Sequence, residues 1–208
     1  MFELSEADLS GRVLDCPGGG SSFTAVASAA GTAAVAVDPV YAESPQDLAD
    51  RVRAEVERGA IWTGLTRDRY VWDFYASPER HTAIRVASAK LFAADLLAHP
   101  ERYRVGALPE LPFEDRSFDL VLSSHFLFTY ADRLDYAFHL ASLLELARVA
   151  GHEARVFPLL HLAGHSNATM LDTLRGDLDR AGIRAVVRPT GFEFQRGATE
   201  MLVLDRRR

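Results

Sequence analysis

A chain of 208 residues with 48% hydrophobic and 25% charged side chains carries enough apolar surface for one large core, which excludes an intrinsically disordered protein. Its formal net charge of -6 leaves no excess of Lys and Arg to track a phosphate backbone, so no nucleic-acid partner is expected. One cysteine excludes an intramolecular disulfide. The acidic start MFELSEADLS and the lack of any apolar run near the roughly 20 residues of a membrane span point to a cytoplasmic chain with no membrane partner.

Taken in chain order, Val13 and Leu14 read as a short buried strand, Pro17 to Ser21 as a glycine-rich turn and Ser22 onward as a helix start. A second apolar run, Ala33 to Asp38, ends in an acid. Glycines let a backbone pass close to a ligand at a helix N-terminus, and a carboxylate closing the second strand can accept from both hydroxyls of a ribose. Together they call for an adenosine-type cofactor. Leu48, Val52 and Val56 recur at helical spacing, as do Ile84, Ala87 and Leu91, then Leu143, Leu144 and Ala147, then Leu171, Leu174 and Leu178. Short runs at Tyr103 to Val105, Phe118 to Ser123, Ala154 to Phe157 and Ala185 to Val187 read as strands. Strands alternating with helices give a three-layer, doubly wound α/β domain with a mainly parallel sheet. The end departs from this alternation: Phe192 to Gln195, a turn at Gly197 and Glu200 to Leu204 read as an antiparallel hairpin. The terminal Arg206 to Arg208 read as a solvated basic tail.

Residues 61 to 80, IWTGLTRDRYVWDFYASPER, interrupt the pattern and carry Trp62, Tyr70, Trp72, Phe74 and Tyr75. Two readings stand: the aromatics cap the core, or the segment is an insertion within the single domain 1–208 that closes over an acceptor as a lid.

The residues VLDCPGGG at Val13 to Gly20, VAVDP at Val35 to Pro39, LPFEDRSFDLVLSSHFL at Leu111 to Leu127, EARVFPL at Glu153 to Leu159 and the terminal FEFQRGATEMLVL together resemble the class I S-adenosylmethionine-dependent methyltransferases. The resemblance implies a Rossmann-like, seven-stranded sheet with a reversed last strand, S-adenosylmethionine as cofactor and S-adenosylhomocysteine as product. It implies methyl transfer to a small-molecule acceptor, with a non-methylating or sensing protein on the same pocket as the alternative. Carried over residue by residue, cofactor contacts fall on Asp15, Pro17, Gly18, Gly19, Gly20, Asp38, Ala107 and Leu108. The chain departs from the family pattern where Pro17 and Ser21 replace glycines and where Ala107 replaces the acid that receives the adenine amino group. A nicotinamide-dependent oxidoreductase would share the turn and the acid but lacks the terminal hairpin, and the turn lacks a G-x-G-x-x-G spacing.

Several polar residues carry two readings each. Asp38 serves either as a turn cap ahead of Pro39 or as ribose acceptor. Asp15 contacts the cofactor or satisfies backbone donors in the turn, and Cys16 is a small apolar filler. His125, directly after the strand Phe118 to Ser123, is a buried structural histidine or a catalytic base, with an ordinary pKa of about 6.5 near working pH. His161 and His165 are four apart, but Gly164 makes their segment a loop and no metal site is expected. An anionic acceptor could meet Arg155 or Arg196.

Overall fold

Seven strands form one sheet in the order β3-β2-β1-β4-β5-β7-β6 in the computed structural model, which describes residues 1–206. The expectation for the terminal basic tail falls mainly on residues 207 and 208, outside the described residues. The strands are β1 (Arg12–Asp15), β2 (Ala33–Val37), β3 (Tyr103–Arg104), β4 (Phe118–Ser124), β5 (Ala150–Phe157), β6 (Ile183–Pro189) and β7 (Glu200–Arg206). β1 to β5 pair in parallel, and β7 lies antiparallel between β5 and β6. The helices are α1 (Phe23–Ala29), α2 (Pro45–Leu65), α3 (Pro78–Ala98), α4 (Tyr136–Val149) and α5 (Ala168–Arg180).

The central strands β1 and β4 and the second half of β5 are buried on both faces, as parallel strands under helices must be. Leu14 and Val121 pack with Leu143, Leu146 and Leu174 beneath α4 and α5, whereas Val13, Leu120 and Leu122 face Phe2, Phe157 and Met201 on the other side. A third cluster, Leu48, Val52, Val56, Phe92 and Tyr103, joins α2 and α3 to the β2–β3 edge. α2 and α3 start alike. Ser44 and Ser77 accept from the amides of Asp47 and Arg80, and each is followed by a proline at the first helical position, where a missing N–H costs nothing. No described helix is long and apolar enough to cross a membrane.

Three expectations need correction. The antiparallel hairpin exists, but its first arm is β6, because Ile183–Pro189 pairs with Glu200–Arg206 along its full length. Phe192 to Gln195 is not a strand; it lies in the β6–β7 connection, and the alternation of Phe192 and Phe194 serves a side-chain cluster rather than a ladder. α3 also buries a different stripe from the one its periodicity suggested: His81, Ala89, Phe92 and Leu96 face inward, while Ile84 and Leu91 are exposed. Alanines around this helix blur its polar face, so two stripes competed and contact with Tyr41 and Tyr103 through Phe92 decided. Lastly, residues 61–65 finish α2 and residues 78–80 begin α3, so the irregular connection is only 66–77.

Candidate active site

β1 ends at Asp15 between β2 and β4, at the point where strand order reverses and a crevice opens at the carboxyl ends of an open α/β sheet. The chain then turns through Pro17 and the three glycines into α1. Gly19 has φ +48°, a left-handed conformation that glycine adopts at little cost. Its N–H donates to Asp38 Oδ2 at 2.9 Å, and Val40 N–H donates to Asp38 Oδ1 at 3.0 Å. Asp38 is therefore both the cap of a short 3₁₀ turn, Pro39–Ala42, and the clasp of the glycine loop. Each of its oxygens keeps an acceptor position for a further donor such as a ribose hydroxyl. Burial raises its pKa against the two amides and the charge of Arg51, which pull it down.

Asp15 is more deeply placed, 5% exposed, and burial drives its pKa up to about 7, with the Ser21 hydroxyl opposing and the Asp38 charge adding. It lines a cavity of about 360 Å³ together with Ser21, Phe23 and Leu122. Gly18 and Gly20 give closeness to protein rather than open space. A Cβ on Gly18 would stand 2.5 Å from the Tyr41 hydroxyl, and one on Gly20 would stand 2.6 Å from Val52. Tyr41, which the sequence reading missed, donates its hydroxyl to the Gly19 carbonyl at 2.9 Å. Of the expected cofactor contacts, Asp15, Gly19 and Asp38 form one constellation whose two acids are buried and of which Asp15 lines a cavity, and Gly18 is covered by Tyr41. Pro17 follows a cis bond from the buried Cys16. Ala107 is exposed, and Leu108 buries its side chain in the core while its backbone N–H makes no hydrogen bond among the described residues.

His125 stands just past β4 with φ +52°, a costly backbone state for a side chain of this size. Its amide is anchored to the Phe157 carbonyl at 2.7 Å, and its Nδ1 lies 2.7 Å from Ser124 Oγ. Ser124 directs its own proton at Met1 Sδ, 3.6 Å away. In the tautomer with the proton on Nδ1 the serine hydroxyl accepts from it and the free lone pair is on Nε2. His125 is exposed toward a cavity, and desolvation by the protein around the ring, followed by the charge of Arg85, lowers its pKa to about 4. His125 is thus a neutral imidazole at working pH, without the titration near neutrality of an ordinary histidine.

That cavity measures about 790 Å³ and runs from Gly20 and Ser21 to His125 and Thr129, roofed by Trp62, Tyr75 and Phe194. Phe194 is its aromatic hub. Tyr70 stacks on it at 4.6 Å and His81 at 4.7 Å, while Tyr75 and Trp72 meet it edge-on at 4.8 and 5.4 Å. Val71 N–H donates to the Phe194 carbonyl at 2.7 Å and Arg196 N–H to the Arg69 carbonyl at 2.9 Å, so connection 66–77 is stapled to the β6–β7 connection. Segment 61–80 therefore packs on a core of its own and walls the cavity at once. His81, Arg85, Phe192 and Phe194 were not singled out from sequence; the shared side of Phe192 and Phe194 in an alternating run was the available signal.

Other candidates serve elsewhere. Arg155 is 7% exposed and holds Asp8, Glu153 and the Phe2 carbonyl, clasping the N-terminal segment rather than a ligand. Arg196 donates to backbone carbonyls of Asp68 and Tyr70. His161 and His165 stack at 5.8 Å, His161 pairs with Asp132, and no described cluster of three His, Cys, Asp or Glu could hold a metal.

A family model described as a methyltransferase domain matches residues 59–157, a span that includes β4, α4 and β5 but stops short of the glycine loop and Asp38. An uncharacterized protein of Methanocaldococcus jannaschii is 28% identical over 207 residues, covering 99% of this chain and 90% of its own. Among solved structures, a protein of Pyrococcus horikoshii OT3 aligns with TM-score 0.51 and 13% identity over 95% of this chain and 82% of its own. The magnesium protoporphyrin IX methyltransferase of Synechocystis PCC 6803, solved with bound S-adenosylhomocysteine, aligns with TM-score 0.50 and 15% identity over 97% of this chain and 77% of its own. These two structures share the fold.

Proposed function

We propose that the chain is a class I S-adenosylmethionine-dependent methyltransferase that transfers a methyl group from S-adenosylmethionine to a small-molecule acceptor in the cytoplasm, a reading supported by the methyltransferase-domain match over residues 59–157 and by the shared fold. The observation that carries this reading is the buried Asp38, which accepts from Gly19 N–H in the glycine turn, next to Gly20 and Ser21 on the wall of a cavity that reaches His125 past the end of β4. S-adenosylmethionine supplies an electrophilic methyl group on a sulfonium and leaves as S-adenosylhomocysteine. The residues of this chain hold, orient and exclude water, which is most of what an in-line displacement asks of a protein.

In this reading Asp38 accepts from the ribose hydroxyls and the Leu108 N–H meets the adenine edge that Ala107 leaves without an acid. Asp15 faces the amino-acid end of the cofactor, and its carboxyl group, poised near pH 7, ionises when an ammonium group arrives. His125 Nε2 takes the acceptor proton. Segment 66–77, with residues 190–199, closes over the acceptor. The acidic composition and the single cysteine support the cytoplasmic placement.

A second reading, cofactor binding without methylation, is favoured by Tyr41, whose hydroxyl lies over Gly18 where the cofactor backbone approach would be. One experiment separates them: calorimetric titration with S-adenosylhomocysteine, followed by an S-adenosylhomocysteine-release assay over phenols, amines and carboxylic acids. Binding with turnover supports methyl transfer. Binding with no turnover on any acceptor supports the second reading, and no binding removes both.

A further inference from the structure

We propose, resting on the methyl-transfer reading above, that the acceptor is a small aromatic acid, with its ring among Tyr75, His81 and Phe194, its carboxylate at Arg85 and a nucleophilic hydroxyl turned to His125. Three independent features of the 790 Å³ cavity carry this.

The first is shape. Rings from α2, from connection 66–77, from α3 and from the β6–β7 connection converge on one space; Tyr70 and His81 cover the two faces of Phe194 and hold it fixed, so a planar guest meets a rigid aromatic wall made by the rims of these rings with Tyr75 and Trp62. The second is charge. Arg85 lies on the wall and makes no hydrogen bond or ion pair among the described residues; its guanidinium rests against α2, 3.8 to 4.0 Å from where a Cβ on Gly59 would stand. Arg69 adds a second cation to the wall, while its one carboxylate, Glu55, already faces Arg51 at 3.7 Å and Arg58 at 3.9 Å. The pocket is locally cationic in a chain of net charge -6, which attracts carboxylates and repels amines. The third is unmet hydrogen bonding. Thr129 Oγ1 and His81 Nδ1 are buried on residues each 4% exposed, and neither has a hydrogen-bond partner among the described residues. A buried polar atom of this kind is costly until a ligand meets it. Burial keeps the His81 ring neutral, with one nitrogen to donate and one to accept.

The step balances as a displacement. The acceptor hydroxyl loses its proton to His125 Nε2 as its oxygen takes the methyl carbon, and the electron pair of the broken bond stays on sulfur.

Calorimetric titration of the protein, with and without saturating S-adenosylhomocysteine, with 4-hydroxybenzoate, salicylate and indole-3-carboxylate, each beside its methyl ester and with tyramine as the cationic control, tests the assignment. At least one acid should bind tenfold or more tightly than its ester, and tyramine should bind more weakly than both. Arg85→Gln, on an exposed stretch of helix, should erase the preference for acid over ester, Arg85→Lys should restore part of it, and Phe194→Leu should weaken acid and ester alike. Esters or tyramine binding as tightly as the acids, a preference that survives Arg85→Gln, or no acid binding to protein that binds S-adenosylhomocysteine would overturn the proposal. Acid preference without S-adenosylhomocysteine binding would instead keep the aromatic-acid site and defeat the methyl-transfer reading.

Discussion

Gly19 N–H donates to Asp38 Oδ2 at 2.9 Å, so the loop after β1 and the acid after β2 are one hydrogen-bonded unit rather than two separate ligand contacts. Each carboxylate oxygen holds one backbone amide and keeps room for one more donor. Cap and ribose acceptor, alternatives in sequence, are compatible here because a carboxylate offers about four acceptor positions.

Asp38→Asn should therefore separate affinity from fold. Asparagine keeps one acceptor for an amide but loses the charge and offers an NH₂ where a ribose hydroxyl needs an acceptor. S-adenosylhomocysteine affinity should fall by about 2 kcal/mol, while the melting temperature drops only a few degrees. Unchanged calorimetric affinity in the folded variant would remove Asp38 from the site.

Asp15 gives a pH signature. Its folded pKa of about 7 is above the ordinary carboxylate value, so between about pH 4 and pH 7 the native state binds more protons than the unfolded state. The sign follows: ligand-free stability should fall as pH rises through that window. The loss should be complete above the folded pKa. Thermal melts at pH 5, 6, 7 and 8 should show this decline, and Asp15→Asn should flatten it. If Asp15 meets the cofactor ammonium group, S-adenosylhomocysteine binding near pH 6.5 should release a proton, read as a binding enthalpy that varies with buffer ionisation heat.

The cofactor half of this site was legible because its signals are local: a buried strand ending in Asp15, three consecutive glycines and a strand ending in Asp38 occupy under 30 residues. The acceptor half was not. Phe194 and His81 are 113 positions apart and meet only because the β6–β7 connection lies on the start of α3. An alternating F-x-F reads as a strand whether or not a partner strand is available. Among arginines, sequence cannot tell Arg155, consumed by the N-terminal segment, from Arg85, which stands on a cavity wall with no ion pair among the described residues.

The two stapled connections should open together. Val71 and Arg196 amides bind across the junction, and Tyr70 and His81 stack on Phe194, so residues 66–77 cannot lift without the β6–β7 connection. Hydrogen exchange should show Val71 and Arg196 with similar, moderate protection that rises together when S-adenosylhomocysteine and an acceptor analogue are bound. Complete protection without ligand and no change with it would make this region fixed packing.

His125 decides how the proton leaves. With a pKa near 4 the ring is neutral across the whole neutral range, and in the tautomer that gives its Nδ1 proton to Ser124 the lone pair is on Nε2. Turnover with a hydroxyl acceptor should therefore show no limb near pH 6.5 from this residue and should decline only as pH falls toward the lowered value. His125→Asn tolerates the left-handed backbone and can still meet Ser124, but it has no basic nitrogen. It should lower kcat by roughly 10²- to 10⁴-fold with S-adenosylhomocysteine affinity and melting temperature nearly unchanged. A kcat within a few-fold of the parent would make His125 a packing residue, since asparagine preserves its backbone and its serine contact but not its base. A limb near neutrality that disappears in the variant would keep the base and show that its pKa in the complex is an ordinary one, not one lowered by burial and Arg85.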